Sequence, residues 1–291
     1  MICERPYTKD GLALACGQCL PCRIQRRKVW SHRIMLEASQ HESNAFVTLT
    51  YDEEHLPKDG SVSVRAMQLF IKRLRKAGYK FRYYLVGEYG DQSYRPHYHI
   101  ALFGFPQCFR GQTDLRKSVC CKTCASVKRA WHNQGAIQVA FLEPASAAYI
   151  AGYVTKKIKG LGISLPDGLA PEFQRVSLRP GLGLRVMHDV ADRLLTYNLE
   201  KEIEDVPMSL QHGKFKMPLG RYLRANLRKM IGRDEKCPPS VLEKVKSELQ
   251  PLRQAAFNAS SSFADAVVQA NAGKRASVLA KAQIKQQRKT L

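Results

Sequence analysis

Arg95-Pro-His-Tyr-His-Ile-Ala-Leu-Phe-Gly104 reads as a β-strand that carries two histidines two residues apart. Side chains at i and i+2 of a strand point to the same face. His97 and His99 therefore project side by side, while Tyr98, Ile100 and Leu102 line the opposite, apolar face. Two imidazoles on rigid backbone suit a divalent metal that keeps open coordination positions. With 8 histidines in 291 residues, such a pair arises by chance roughly 0.2 times per chain, so it needs the other parts of a site around it.

Just before this strand, Phe81-Arg-Tyr-Tyr-Leu-Val-Gly87 reads as another, with Glu88 at its end and turn residues Gly90, Asp91 and Pro96 following. An antiparallel hairpin would return Glu88 to the histidines. Glu88, His97 and His99 then make a two-histidine, one-carboxylate set. That donor set suits Mg²⁺ or Mn²⁺ in phosphoryl transfer, with Zn²⁺ also compatible. Further upstream, Ala45-Phe-Val-Thr-Leu-Thr-Tyr51 is a β-branched and aromatic strand. Residues 64–77 form an amphipathic helix whose stripe of Met67, Phe70, Ile71 and Leu74 belongs to a core, and Gly78 ends it.

Downstream, residues 105–125 read as an irregular insert with Cys108, Cys120, Cys121 and Cys124. The Cys121-x-x-Cys124 spacing fits a second zinc site with Cys108 and Cys120, and equally a loop of free thiols. A short helix at about 125–133 leads to the strand Ala136-Ile-Gln-Val-Ala-Phe141. A helix from Pro144 to Gly160 follows, with proline in its first turn and Lys156, Lys157 and Lys159 in its last. Tyr149, Tyr153 and Lys156 share one face of it. Two tyrosines alone read as packed aromatics; a lysine on the same stripe argues against full burial. The element order gives an α+β fold, a central antiparallel sheet with helices on one side and His-x-His on a central strand.

The N-terminal segment holds Cys16-Gly-Gln-Cys19-Leu-Pro-Cys22, a doubled C-x-x-C that clamps Zn²⁺ in small knuckles, with Cys3 the nearest fourth ligand. A structural staple is the first reading of that cluster, ahead of direct DNA contact. A basic helix, 23–41, follows. The net charge is +22, from 47 Lys and Arg against 25 Asp and Glu. Such a field favours nucleic acid over other partners. No apolar run approaches a membrane span, no secretory h-region is visible, and the clustered cysteines fit a reducing cytoplasm.

Past Gly160 the pattern thins. Arg179-Pro-Gly-Leu-Gly183 precedes a helix at 184–202 and reads chiefly as a turn, with phosphate binding the sharper alternative. Lys214, Lys216, Arg221, Arg224, Arg228 and Lys229 form a basic patch suited to a DNA backbone. Cys237-Pro-Pro239 marks a boundary before a partly exposed helical tail. Four consecutive segments are expected: 1–42, the Cys-cluster region; 43–160, the core; 161–235, a basic extension; and 236–291, the tail.

Together, Phe46-Val-Thr-Leu-Thr-Tyr51, Gly87-Glu-Tyr-Gly90 with Arg95-Pro-His-Tyr-His99, and Tyr149-x-x-x-Tyr153-x-x-Lys156 resemble the three ordered motifs of HUH endonucleases, the rolling-circle replication initiators. The paired tyrosines, the N-terminal cysteine run, Ser177-x-Arg-Pro-Gly-Leu-Gly183 and Pro218-Leu-Gly-Arg-Tyr222 are similar to the microvirus initiators of the gokushovirus branch. The resemblance covers about residues 1–230; the insert at 108–124 has no counterpart in that pattern. It implies an RRM-like HUH core that nicks origin DNA, single-stranded or supercoiled, through a 5′-phosphotyrosine link and leaves a 3′-OH primer. Tyr149 and Tyr153 are then nucleophiles, supported by Lys156 and by a Mg²⁺ or Mn²⁺ ion on His97, His99 and Glu88. Arg95, Lys157 and Arg221 are candidate DNA contacts. Host polymerase and helicase are the expected partners, in a host bacterial cytoplasm, with no membrane and no small-molecule substrate. The alternatives are a non-enzymatic zinc-containing nucleic-acid-binding protein, and a plasmid initiator or relaxase of the same chemistry.

Overall fold

The computed structural model describes residues 2–90, 93–108, 110, 112–115, 120–156 and 168–287; the side chains of 112–115, 153–156 and 285–287 are outside that description. The elements run in the order β1 (Tyr7–Lys9), β2 (Leu12–Leu14), α1 (Leu20–Ala38), β3 (Asn44–Thr50), α2 (Val64–Lys76), β4 (Arg82–Tyr89) and β5 (Pro96–Phe103). They continue with β6 (Gln112–Leu115), α3 (Lys122–Ala130), β7 (Ile137–Phe141), α4 (Pro144–Lys156), β8 (Phe173–Val176), α5 (Arg185–Thr196) and α6 (Leu199–Glu202). The last are β9 (Ser209–His212), β10 (Phe215–Pro218), α7 (Gly220–Met230), α8 (Pro239–Asn258), α9 (Phe263–Ala270) and α10 (Ala272–Gln287).

The chain divides into two compact units, Trp30–Asp189 and a second that joins Met1–Val29 to Val190–Leu291. This grouping differs from four consecutive segments, because contacts between the chain's two ends are not visible in local sequence. In the second unit, β1 and β2 form a hairpin that packs on α8 and α9. Gly11 has φ +76°, and a Cβ there would stand 2.6 Å from Arg253 Nη1, so the hairpin turn needs glycine. Residues 240–291, expected to be a partly exposed tail, thus supply the platform for the N-terminal hairpin, with Ala256 and Val267 buried.

The first unit is built on a six-stranded sheet in the order β6-β7-β3-β5-β4-β8, with every pair antiparallel. β5 is central, as the sequence predicts. Strict alternation sorts its neighbours. Ala45, Val47, Leu49 and Tyr51 of β3 join Tyr98, Ile100 and Leu102 of β5 on one face, against Met67, Phe70, Ile71 and Leu74 of α2 and Val127 of α3. The opposite face carries Tyr84, Val86, Ala101 and Phe103 against Ile34 and Ala38 of α1 and Ala147, Ile150 and Ala151 of α4. Helices therefore cover both faces, not one. The second layer follows from α1 and α4, whose apolar residues need a partner of their own.

Other boundaries also move. α1 begins at Leu20, so Cys22 lies in its first turn. The insert is not wholly irregular: β6 pairs with β7 at the sheet edge. β8 adds to β4, where a Cβ on Gly87 would come within 2.6 Å of the Phe173 ring. The helix expected at 184–202 breaks at Asn198, which takes φ 54° between α5 and α6. Asparagine tolerates that left-handed backbone better than most residues.

The Ser177–Gly183 motif is a structural clamp. Buried Glu37 of α1 receives the Gly183 N–H at 2.8 Å and pairs with Arg82 Nε at 2.6 Å. Arg82 also donates to the carbonyls of Arg179 and Pro180, and Arg33 Nε donates to Leu182 O at 3.0 Å. The carboxylate of Glu37 holds the place that the phosphate reading reserved for an anion.

Candidate active site

Register, not sequence proximity, assembles the site. β4 and β5 pair so that Glu88 lies opposite His97 and Val86 opposite His99. β3 pairs on the other side of β5, with Thr48 opposite His99 and Thr50 opposite His97. Glu88, His97, His99, Phe46 and Thr48 all alternate onto the face covered by α1 and α4. α4 then lays Tyr149 across them.

The contacts are direct. His99 Nε2 stands 3.0 Å from Glu88 Oε1. The Tyr149 hydroxyl donates to Glu88 Oε1 at 3.0 Å and lies 3.4 Å from His99 Nε2. Its ring meets the His99 ring edge-on at 5.1 Å. Glu88 and His99 are 4% and 8% exposed, whereas Tyr149 is 43% exposed. The acidic and imidazole groups are thus set into the sheet, and the phenol is the member open to a large substrate.

Each imidazole has its Nδ1 fixed by the fold. His97 Nδ1 bonds the Arg95 carbonyl at 2.5 Å, and because a carbonyl only accepts, that nitrogen carries the proton. Burial pushes the His97 pKa below the ordinary imidazole value, which keeps the ring neutral. His99 Nδ1 lies 3.0 Å from Thr48 Oγ1. Nε2 is then the nitrogen that each ring has left to offer a cation, the arrangement in which outer partners orient metal-binding histidines. The His97 and His99 rings stack at 6.5 Å between centroids. Donor chemistry and orientation fit a hard divalent cation with two imidazoles and one carboxylate. The three ligand atoms are not gathered within 4.8 Å of one another, as the cysteine groups below are.

Tyr98, between the histidines, serves the core: its hydroxyl accepts the Ser63 N–H at 2.7 Å and lies 3.3 Å from Tyr51 Oη. Arg95 is engaged in the fold, with Nη1 on Glu53 Oε1 at 2.5 Å and Nε and Nη2 on the Tyr51 carbonyl. Tyr153 and Lys156 lie in α4, but their side chains are outside the described residues, as is Lys157 altogether. Arg221 is exposed in the first turn of α7. Arg224 and Arg228 do not belong to an open basic patch, because both bind Asp205, at 2.5 Å and 2.6 Å. Lys214 and Lys216 remain exposed on the β9–β10 hairpin.

Sequence reasoning assigns no role to Thr48 and Phe46. Phe46 lies parallel to His99, at 5.8 Å and 8°, and edge-on to Tyr149 at 6.5 Å. The signal is present: in Phe46-Val-Thr48 the residues out of phase with the core face the histidines once β3 pairs with β5.

Among the described residues, two groups gather four ligand atoms within 4.8 Å, and each can hold a metal such as zinc. One is Cys3, Cys16, Cys19 and Cys22, the set expected from the sequence. Cys16 and Cys22 Sγ are 4.0 Å apart, and Cys19 and Cys3 Sγ 3.8 Å. Backbone N–H groups of Gln18 and Cys19 point at Cys16 Sγ, both at 3.4 Å. Burial opposes ionisation of Cys16, but those N–H groups and the neighbouring thiols outweigh it and bring its pKa down to about 6. The second group is Cys108, Cys120, Cys121 and Cys124.

Residues 44–158, which span β3 to the end of α4, match the family model of the replication-associated protein ORF2. This segment is a replication-associated protein domain. The chain is 33% identical to the replication-associated protein VP4 of Bdellovibrio phage phiMH2K, over 51% of this chain and 50% of that one. It is 30% identical to the replication-associated protein ORF2 of Spiroplasma virus 4, over 62% and 59%. It is 28% identical to the replication-associated protein ORF4 of Chlamydia phage 1, over 76% and 55%. These similarities support the microvirus resemblance carried by the motifs. The matched region thus spans little more than half the length of these relatives. No solved structure matches the chain significantly. Among its described residues, no helix is long and apolar enough to cross a membrane.

Proposed function

We propose that the chain initiates rolling-circle replication of a small viral genome by nicking one DNA strand with Tyr149. The observation that carries this reading is the Tyr149 hydroxyl bonded to Glu88 Oε1 and beside His99 Nε2, half-exposed at a site otherwise buried. His97, His99 and Glu88 would hold Mg²⁺ or Mn²⁺, which when bound supplies Lewis-acid polarisation of the scissile phosphate.

Tyr149 Oη attacks phosphorus while its proton passes to the carboxylate oxygen that already accepts it, Glu88 Oε1. The bond from phosphorus to the 3′ oxygen breaks, and that oxygen takes up a proton to become a 3′-OH. One phosphodiester is replaced by one phosphotyrosyl ester, so the link is kept without ATP. Phe46 holds the His99 plane, and Thr48 and Arg95 O hold the two imidazoles in place. Tyr153, one helical turn on, is the second nucleophile: it cuts the regenerated origin, and the freed 3′-OH attacks the first adduct to close a circle. Lys156 supports the phenolate. Lys157, Arg221 and the exposed hairpin lysines are DNA contacts, and Arg95 acts through its loop. Host polymerase extends the 3′-OH behind a host helicase, in a bacterial cytoplasm. The N-terminal cysteine group holds a structural Zn²⁺.

The test is incubation of the purified chain and Mn²⁺ with 3′-labelled single strands tiling its own genome. A labelled band at protein mobility on a denaturing gel supports the reading. Tight binding with no adduct, on single strands and on supercoiled duplex, moves the protein to the class of non-enzymatic DNA-binding proteins.

A further inference from the structure

We propose that Cys108, Cys120, Cys121 and Cys124 bind a second Zn²⁺, in a closed structural site that fastens the insert between β5 and α3 to the back of the sheet. The four Sγ atoms lie within 4.8 Å of one another, with Cys108 3.4 Å from Cys120 and Cys120 3.6 Å from Cys124. Tetrahedral zinc with Zn–S bonds of about 2.3 Å has S···S edges of about 3.8 Å. A disulfide needs sulfurs about 2.05 Å apart, and all four cysteines are free thiols.

Convergence is what separates this group from ordinary buried cysteines. Cys108 arrives from the end of β5, and the other three come from the start of α3. Cys121 is the N-cap of α3, with extended backbone and no side-chain capping bond. Its Sγ is therefore directed elsewhere, and the partial positive charge of the helix N-terminus favours thiolate there. Eight of the nine cysteines fall in the two groups of four. The ninth, Cys237, contacts Asp205 instead, at 3.8 Å.

Burial defines the kind of site. Cys108 and Cys124 are fully buried, and Cys120 and Cys121 pack against the same core. Four protein sulfurs complete a tetrahedron and leave no position for water or substrate, which makes the role structural. The site closes the stretch that carries β6, the edge strand on β7. It also anchors α3, at whose end Trp131 Nε1 donates to the Thr50 carbonyl at 3.1 Å, on the strand that presents Thr48 to His99. None of this depends on the proposed nicking chemistry.

Zinc content of the full chain tests it, measured by mass spectrometry of the metal in a His97→Ala/His99→Ala background so that the imidazoles contribute nothing. Two zinc ions per chain are expected, falling to one with Cys108→Ser/Cys124→Ser and to one with Cys16→Ser/Cys19→Ser. Cobalt loaded into the Cys16→Ser/Cys19→Ser chain should show thiolate charge-transfer and tetrahedral d–d bands. Should the Cys108→Ser/Cys124→Ser chain not fold, the parent stoichiometry of two still decides. One zinc per chain that disappears with Cys16→Ser/Cys19→Ser, or a disulfide among residues 108–124, overturns the proposal.

Discussion

Tyr149 on α4 and Glu88 on β4, sixty-one residues apart in the chain, share a hydrogen bond of 3.0 Å. The bond joins the one helix that carries paired tyrosines to the one strand that carries a carboxylate opposite His97. Its two ends differ in exposure, with the acid buried and the phenol half open, so substrate reaches Tyr149 first.

That relationship sets the first expectation. Tyr149→Phe removes the nucleophile but leaves Tyr153, so adduct formation falls by about 10³-fold or more at the first cut while a residual signal survives. Adding Tyr153→Phe removes the residue. Since Tyr149 is half-exposed, both variants should keep near-parental melting temperatures. Unchanged adduct yield in the double variant, read on a denaturing gel, would contradict the assignment.

Thr48→Ala deletes the Nδ1 partner of His99 without touching a ligand atom. Partners of this kind are typically worth about 10- to 100-fold in metal affinity or activity. Titrating Mn²⁺ into cleavage reactions should show the half-saturating concentration rising by that factor, with Thr48→Ser restoring most of it. A lower maximal rate at an unchanged metal requirement would argue that Thr48 merely packs.

Acid should inactivate cleavage late. Burial lowers the His97 pKa, so its neutral, metal-competent form persists below the ordinary imidazole value near ~6.5. The acid limb of the single-turnover rate should therefore have its midpoint below that value. A midpoint above pH ~7 would be inconsistent with a buried His97 as ligand.

Asp205 offers a stability test away from the site. Burial raises its pKa, but hydrogen bonds from Arg228 and the Val206 N–H, with the charges of Arg224 and Arg228, outweigh that and hold it below the usual value. A carboxylate depressed in the folded state stabilises the fold above its unfolded pKa near ~3.9, and that contribution is lost as pH falls through the lower folded value. Asp205→Ala strands two guanidinium groups and should cost about 3 kcal/mol at pH 7 in urea titrations. The difference from the parent should shrink by pH 3; a constant difference would remove the ion pair as its source.

What the sequence discloses depends on how local the cause is. Alternation in β3, β4 and β5 and the four-residue stripe of α2 are local, and both the strands and the His-x-His face follow from them. Glu88 is reachable because a hairpin is a short-range structure. Thr48 becomes a partner of His99 only through the β3–β5 register, which spans half a hundred residues. β6 and β8 are four-residue edge strands, too short to carry a period. The helices on the second face, and the union of the first 29 residues with the C-terminal helices, are tertiary choices that local patterns do not encode. Arg224 and Arg228 read as open cations because nothing nearby in the chain announces Asp205 as their partner.

Identification of the residue that carries DNA tests the central claim most directly. The covalent adduct would be trimmed with nuclease, digested with trypsin, and sequenced by tandem mass spectrometry across α4. A nucleotide mass on Tyr149 in the first-cut complex, moving to Tyr153 in the Tyr149→Phe chain, is the expected result. A nucleotide on any residue outside α4, or cleaved DNA with a free 5′ end and no modified peptide, would contradict tyrosine attack at this site.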